Sequence, residues 1–156
     1  LARFQSLITQ TLEACGQPLA EPDAVYVGLD AGDQAVLLSS VRLCDEREGL
    51  ELWLPLTDDP GAESMQSPDL WVLVHRLNYE SRFVHDWRIA SGDDGALGLR
   101  RRIALDELTP EALIEMIDEG TERIASLRPL IRSTERATES IPPMETTSPG
   151  STMIRG

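Results

Sequence analysis

The sequence predicts an α+β domain in the order α-β-β-β-α-β-β-α, with three helices on an antiparallel sheet. Three observations predict it. Leu50, Leu52, Leu54 and Leu56 alternate with Glu51, Trp53 and Pro55, a period of two that belongs to a half-buried strand. Short Val/Leu-rich runs are separated by Asp/Gly turns, which return the chain antiparallel. Two helix starts read cap, proline, acid in order: Ser67-Pro68-Asp69 and Thr109-Pro110-Glu111.

In chain order, Phe4, Leu7, Ile8, Leu12 and Cys15 fall at helical spacing on one face, and Gly16 followed by Pro18 stops that helix. Ala24–Leu29 is a strand in which Val25, Val27 and Leu29 alternate with Tyr26 and Gly28. Asp30-Ala31-Gly32-Asp33 turns the chain into Gln34–Leu43, and Asp45–Gly49 turns it again into Leu50–Leu56. Pro55 suits an edge or a strand end. After a polar loop over Thr57–Gln66, a helix is expected from Pro68 to about Phe83. Leu70, Leu73, Val74 and Leu77 form one apolar stripe on it; Val72, Tyr79 and Phe83 form a second, with Trp71 alongside. A helix apolar on two sides needs two surfaces to pack against, its own sheet and a second copy of the chain. His85–Ala90 and Ala96–Leu105 read as a hairpin around Ser91–Gly95. Leu113, Ile114, Ile117, Ile124, Leu127 and Ile131 give the last helix a core face, which Gly120 should weaken locally. The domain is expected to span residues 1–132. From Ser133 the composition turns to Ser, Thr, Glu, Pro and Gly, too poor in apolar surface to offset its ordering entropy, so residues 133–156 are expected to be a disordered tail.

The 156 residues suffice for one core without metal or disulfide staples. A net charge of −13 argues against nucleic acid and anionic membrane surfaces as partners. Cys15 and Cys44 stand at a helix end and a strand end. Leu1-Ala2-Arg3-Phe4 lacks a charged leader with an apolar run behind it, and no stretch is apolar for long enough to span a bilayer, so a reducing cytoplasm is the expected compartment and membrane insertion is not expected.

No convincing catalytic constellation emerges. His75 and His85 lie ten apart, and no C-x-x-C, H-E-x-x-H or Walker-type loop accompanies them, so neither a metal nor another cofactor is expected. Asp30, Asp33, Asp93 and Asp94 have the residue type for general acid–base work, but they fall where hairpin turns favour Asp and Gly. Asp30-x-x-Asp33 lacks the alternating acids of a calcium loop. A small enzyme built on Asp93, Asp94 and His85 remains one alternative. Arg100, Arg101 and Arg102 form a basic run; on a strand Arg100 and Arg102 share a face opposite Arg101, suited to pairing with acids, to blunting a sheet edge or to meeting a partner. Tyr26 and Trp53 lie on the strand faces opposite the Val/Leu faces, where they are either shielded by long side chains or available to a client segment.

Size, acidity, element order and the two-sided middle helix together resemble the class I type III secretion chaperones, the CesT-like (Tir chaperone) family. Leu70–Phe83 carries the likeness, with Leu77-Asn78-Tyr79 matching the family's Leu/Ala-Asn-aromatic stretch and Gly95-Ala96-Leu97-Gly98-Leu99 its strand pair. The likeness covers residues 3–131, and the acidity and long C-terminal segment also resemble the broad-specificity HpaB type of Hrp systems. It implies a non-catalytic homodimer of the bacterial cytoplasm, joined through the middle helix and an adjacent strand, here Leu70, Leu73, Val74, Leu77, Tyr79 and Trp87. It implies a function: the extended N-terminal chaperone-binding region of an effector is held soluble and in a form the secretion ATPase accepts. By position, the effector-binding patch is Phe4, Leu7, Tyr26, Val27, Leu38 and Trp53. A regulatory adaptor of the same fold, binding a folded partner, is the other alternative.

Overall fold

A computed structural model of the chain describes residues 1–56, 68–81, 86–92 and 96–139. Helix α1 is Ala2–Ala14, followed by strands β1 (Tyr26–Ala31), β2 (Gln34–Arg42) and β3 (Glu48–Pro55), helix α2 (Pro68–Ser81), strands β4 (Arg88–Ser91) and β5 (Leu97–Ala104), a 3-10 turn over Leu105–Glu107, and helix α3 (Pro110–Glu139). All strand pairs are antiparallel and the sheet order is β1-β2-β3-β5-β4. The expected α+β architecture is the one observed.

The core lies on one face of this sheet. Val27, Leu38, Leu52 and Arg101 stand side by side across four strands; Leu29 pairs with Val36, and Leu54, Leu99 and Ile89 stand side by side, on the same face. Their apolar members, with Leu50, Leu56 and Leu97, are buried in one cluster with Phe4, Ile8 and Leu12 of α1, Leu70 and Val74 of α2, and Leu113, Ile117, Ile124 and Ile131 of α3. Burying each such side chain is worth about 1.5–3 kcal/mol, so this single layer dominates stability.

Local chemistry sets the ends of the elements. Gly16, at φ +67°, ends α1 in a Schellman motif: its N–H donates to Glu13 O and the Gln17 N–H donates to Leu12 O. Gly32, at φ +66°, occupies the loop between the paired residues Ala31 and Gln34, so Asp30 belongs to β1 rather than to the turn. The β2–β3 turn closes through Leu43 N to Arg47 O (3.0 Å) and Glu46 N to Leu43 O (2.9 Å), with Glu46 held at φ +63°, a region that side chains other than glycine's disfavour. The Thr109 hydroxyl caps α3 by accepting from Ala112 N at 3.3 Å. The α3 helix continues through Pro129 to Glu139, past the expected boundary at residue 132; Ile131 is buried, and the Ser133 and Thr134 hydroxyls both donate to Leu130 O.

Gly120 is a packing requirement, not merely a weak point in a helix. A Cβ there would stand 2.9 Å from the Trp87 ring and 3.2 Å from Leu54, so only glycine lets α3 lie against a fully buried indole. On an ordinary helix Gly→Ala stabilises by up to about 1 kcal/mol. Gly120→Ala is expected instead to destabilise by roughly 1–3 kcal/mol, read from the urea midpoint, because the overpacked ring has nowhere to go. Glu46→Gly is expected to raise the midpoint, by about 0.5–1 kcal/mol, as the left-handed strain is released.

Candidate functional site

Among the described residues all the helical cover lies on one face of the sheet, and none lies on the other. Two residue rows cross that open face: Tyr26, Ser39, Glu51 and Arg102; then Gly28, Leu37, Trp53, Arg100 and Arg88. Tyr26 is 66% exposed and Leu37 39%. Trp53 lies flat at the centre because Gly98 beneath it has no side chain; a Cβ there would fall inside the indole. Arg102 pairs with Glu51. The rows apart from Gly28 and Arg88, with Val41, Ser91 and Gly92, line a shallow hollow of about 540 Å³. An aromatic floor with polar and cationic walls offers apolar contact and hydrogen bonds, but no enclosed chamber for a reaction.

The hollow adjoins a free sheet edge. Among the described residues β1 pairs with a strand on one side only, and a second depression of about 350 Å³, lined by Pro18, Leu19, Ala20, Glu21, Ala24, Tyr26, Val27 and Gly28, runs along its outer side. An unpaired edge beside apolar surface is the geometry that accepts an extended chain.

On α2, the outward stripe is the second of the two read from sequence: Val72 is 67% exposed and Tyr79 59%, with Trp71 half-buried beside them. Phe83 lies outside the described residues.

Several expected positions need correction. Phe4, Leu7, Val27 and Leu38 are buried in the chain's own core, so none of them offers a surface patch, and only Tyr26 and Trp53 of that set face outward. Leu38 and its neighbour Leu37 exchange roles. The run Ala35-Val36-Leu37-Leu38 is apolar throughout and carries no parity, but pairing outward from the Ala31–Gln34 turn puts Leu38 beside Val27 and Leu37 beside Trp53. Among the residues assigned to self-association, Leu70, Val74 and Trp87 are enclosed by the same subunit, Leu73 and Leu77 are half-buried, and Tyr79 is exposed.

Trp87 belongs to a polar knot beneath α3. Arg101 lies over its ring, 5.6 Å from the centroid, and reaches Glu119 at 3.1 Å and Asp86 at 3.4 Å; Arg123 holds Glu119 from the other side at 2.9 Å. Arg101 thus faces the helices while Arg100 and Arg102 face the open hollow, as strand alternation requires. Partial burial pushes the Glu119 carboxyl up. The hydrogen bond from Arg123, the indole N–H of Trp87 acting from beyond strict hydrogen-bond geometry, and the charges of Arg123 and Arg101 outweigh it and hold the group below the usual glutamate range.

The catalytic candidates do not converge. His75 is exposed on α2, Asp30 is exposed on β1 and Asp33 in the β1–β2 turn; His85, Asp93 and Asp94 lie outside the described residues. Among the described residues no group of three or more His, Cys, Asp and Glu is placed to hold a metal, and no helix is long and apolar enough to cross a membrane. Cys15 and Cys44 are exposed and unpaired with each other.

Solved structures share this fold. A chain of the ExsC–ExsE complex superposes with a TM-score of 0.64 at 18% identity, covering 81% of this chain and 92% of that one. A chain of the HopA1–SchA chaperone–effector complex gives 0.61 at 18% identity, covering 81% and 94%. A chain of the complex between the Yersinia pestis type III secretion chaperone SycH and a stable fragment of YscM2 gives 0.57 at 14%, covering 80% and 98%. The fold is that of type III secretion chaperones. No protein-family model matches the sequence, and no curated protein does.

Because Glu119 titrates below its ordinary range in the folded state, its contribution to stability is fully present above the unfolded-state pKa and fades as pH falls through the folded one. Glu119→Gln is therefore expected to flatten the acid side of the stability curve, below about pH 4.5. Urea titrations across that range check it.

Proposed function

We infer that this chain is a type III secretion chaperone: a non-catalytic, cytoplasmic homodimer that holds the extended N-terminal chaperone-binding region of one or more effectors. One observation carries the reading. A shallow aromatic hollow around Trp53 is continuous with an unpaired strand edge at β1, so apolar contacts and backbone hydrogen bonds are offered together along one path. An unfolded segment needs both: hydrogen bonds satisfy its backbone, and alternate side chains find apolar cover. Its ordering entropy makes a large contact necessary, which two subunits supply better than one. The net charge of −13 keeps loaded complexes apart and favours basic client segments. Holding the segment open is what keeps it acceptable to the secretion ATPase.

The outward stripe of α2 supports self-association there, centred on Val72 and Tyr79 rather than on the buried Leu70 and Val74. The Leu77-Asn78-Tyr79 stretch also gains a physical meaning that favours the CesT-like branch: Asn78 donates to Ile89 O at 2.9 Å and accepts from Ile89 N at 2.8 Å, fastening α2 to β4 while Tyr79 points away. The acidity and the C-terminal segment favour the broad-specificity HpaB type within it.

Co-expression with the N-terminal regions of effectors encoded beside its gene tests the reading. A soluble complex is expected to co-elute, and Trp53→Ala is expected to weaken it about tenfold or more without unfolding the chain, since a half-buried aromatic at the centre of a contact carries a large share of the energy. Failure of every such region to co-elute contradicts the proposal. For the dimer, light scattering is expected to report a monomer for the double variant Val72→Glu, Tyr79→Glu with helix content retained; a variant that stays dimeric rules this seam out.

A further inference from the structure

Two side-chain amides sit on the two edges of the sheet, and they close those edges unequally. On β1, the Gln17 amide donates to Asp30 O at 2.5 Å and accepts from Asp30 N at 3.1 Å. It makes to the edge the same pair of bonds that one residue of an added strand would make. On β4, the Asn78 amide does the same to Ile89, and Arg88 donates to Trp87 O at 2.8 Å.

Strand parity tells which groups remain. Asp30 turns its N–H and C=O outward, so Gly28 and Tyr26, two and four residues back, do so as well; Ser40 N donating to Val25 O fits the same alternation. Among the described residues nothing pairs with the outward N–H and C=O of Tyr26 and Gly28. On β4 the outward positions are 87, 89 and 91, and the first two are already engaged. Gln17 is held firmly in its place: it follows the Gly16 turn, and its own N–H is bound to Leu12 O.

We propose that Gln17 is a register stop. A guest strand adds to β1 at Tyr26 and Gly28 and ends there, because the Gln17 amide already occupies the next outward residue. Asn78 turns the guest away from the opposite edge. This rests on the chaperone reading above and specifies where along β1 the client lies. The guest is an extended peptide with alternate apolar residues and a basic flank. One set of its side chains points toward Leu19, Ala20 and Ala24 and the other toward Tyr26. The basic flank follows from charge: between Arg3 and Arg42 the sequence has no Arg or Lys, but has Glu13, Glu21, Asp23, Asp30 and Asp33.

Amide hydrogen exchange on the full chain tests it, with a synthetic peptide that alternates valine and threonine between terminal arginines. In the free protein, Gln17→Ala is expected to speed exchange at Asp30 by about tenfold or more, with Leu29, which pairs to β2, unchanged. With peptide, the unmodified chain is expected to gain protection at Tyr26 and Gly28 and none at Asp30, whereas in Gln17→Ala the protection extends to Asp30. Gln17→Leu, which keeps the bulk and loses the amide, separates hydrogen bonding from steric closure and is expected to behave as Gln17→Ala does. A footprint ending at Gly28 in all three proteins overturns the register stop and leaves edge binding intact. A peptide that protects neither Tyr26 nor Gly28 in any of them overturns edge binding itself. Protection at those residues that rises with protein concentration and no peptide assigns the edge to a second copy instead, and overturns the proposal.

Discussion

The structure depends on one constraint: every helix packs on the same face of a five-stranded sheet. The leucines of β3 and the residue after it anchor that packing, since Leu50, Leu52, Leu54 and Leu56 are all buried in the cluster that the helices cover. With α1, α2 and α3 sharing that face, no described helix covers the other, and its residues answer to different requirements. Trp53 spreads over the bare backbone of Gly98, Arg102 takes Glu51 as its counter-ion, and Tyr26 and Leu37 stay in contact with water. A one-sided core is ordinary for antiparallel sheets. An aromatic floor on the solvated side, joined to an unpaired strand, is what gives this one a use.

The same one-sidedness explains where polar groups are buried. Arg101 reaches the helix face at a row otherwise filled by Val27, Leu38 and Leu52, and it is tolerated because Trp87, Glu119 and Asp86 surround its guanidinium. Gly120 makes room for that indole from above. At the opposite corner Gln34, although buried, accepts from Arg128 at 2.7 Å and donates to Pro55 O at 3.1 Å, which ties α3 to the end of β3. These two polar links join the long helix to the sheet at β5 and at the adjoining ends of β2 and β3.

Much of the fold was legible from short-range chemistry. The alternating leucines, the Gly16 stop, the Gly32 turn and the two cap-proline-acid starts each have a local physical cause, and the element order follows from them. What was not legible was sidedness. Val36-Leu37-Leu38 offers no alternation, so naming Leu38 in the effector-binding patch had no local basis; its side needed the register counted from the turn. On α2 both stripes are apolar, and only the packing of α2 against β4 and α3 decides that Leu70 and Val74 point inward while Val72 and Tyr79 point outward. Trp87 and Gly120 are far apart in sequence and fit only in three dimensions. The edge clamps at Gln17 and Asn78 were invisible for the same reason: an amide in a loop or helix carries no mark of the backbone it will meet.

The central claim is that the uncovered sheet face and the adjoining β1 edge together form the client surface. Chemical-shift mapping on the isotope-labelled chain, titrated with an effector N-terminal segment that forms a soluble complex with it, tests this most directly. The account predicts that the Trp53 indole signal and the amides of Tyr26, Gly28 and Leu37 move together, while α1 and α3 positions such as Ser6 and Glu122 stay still. Perturbations confined to the helical side, with the Trp53 indole unmoved at saturation, would contradict it.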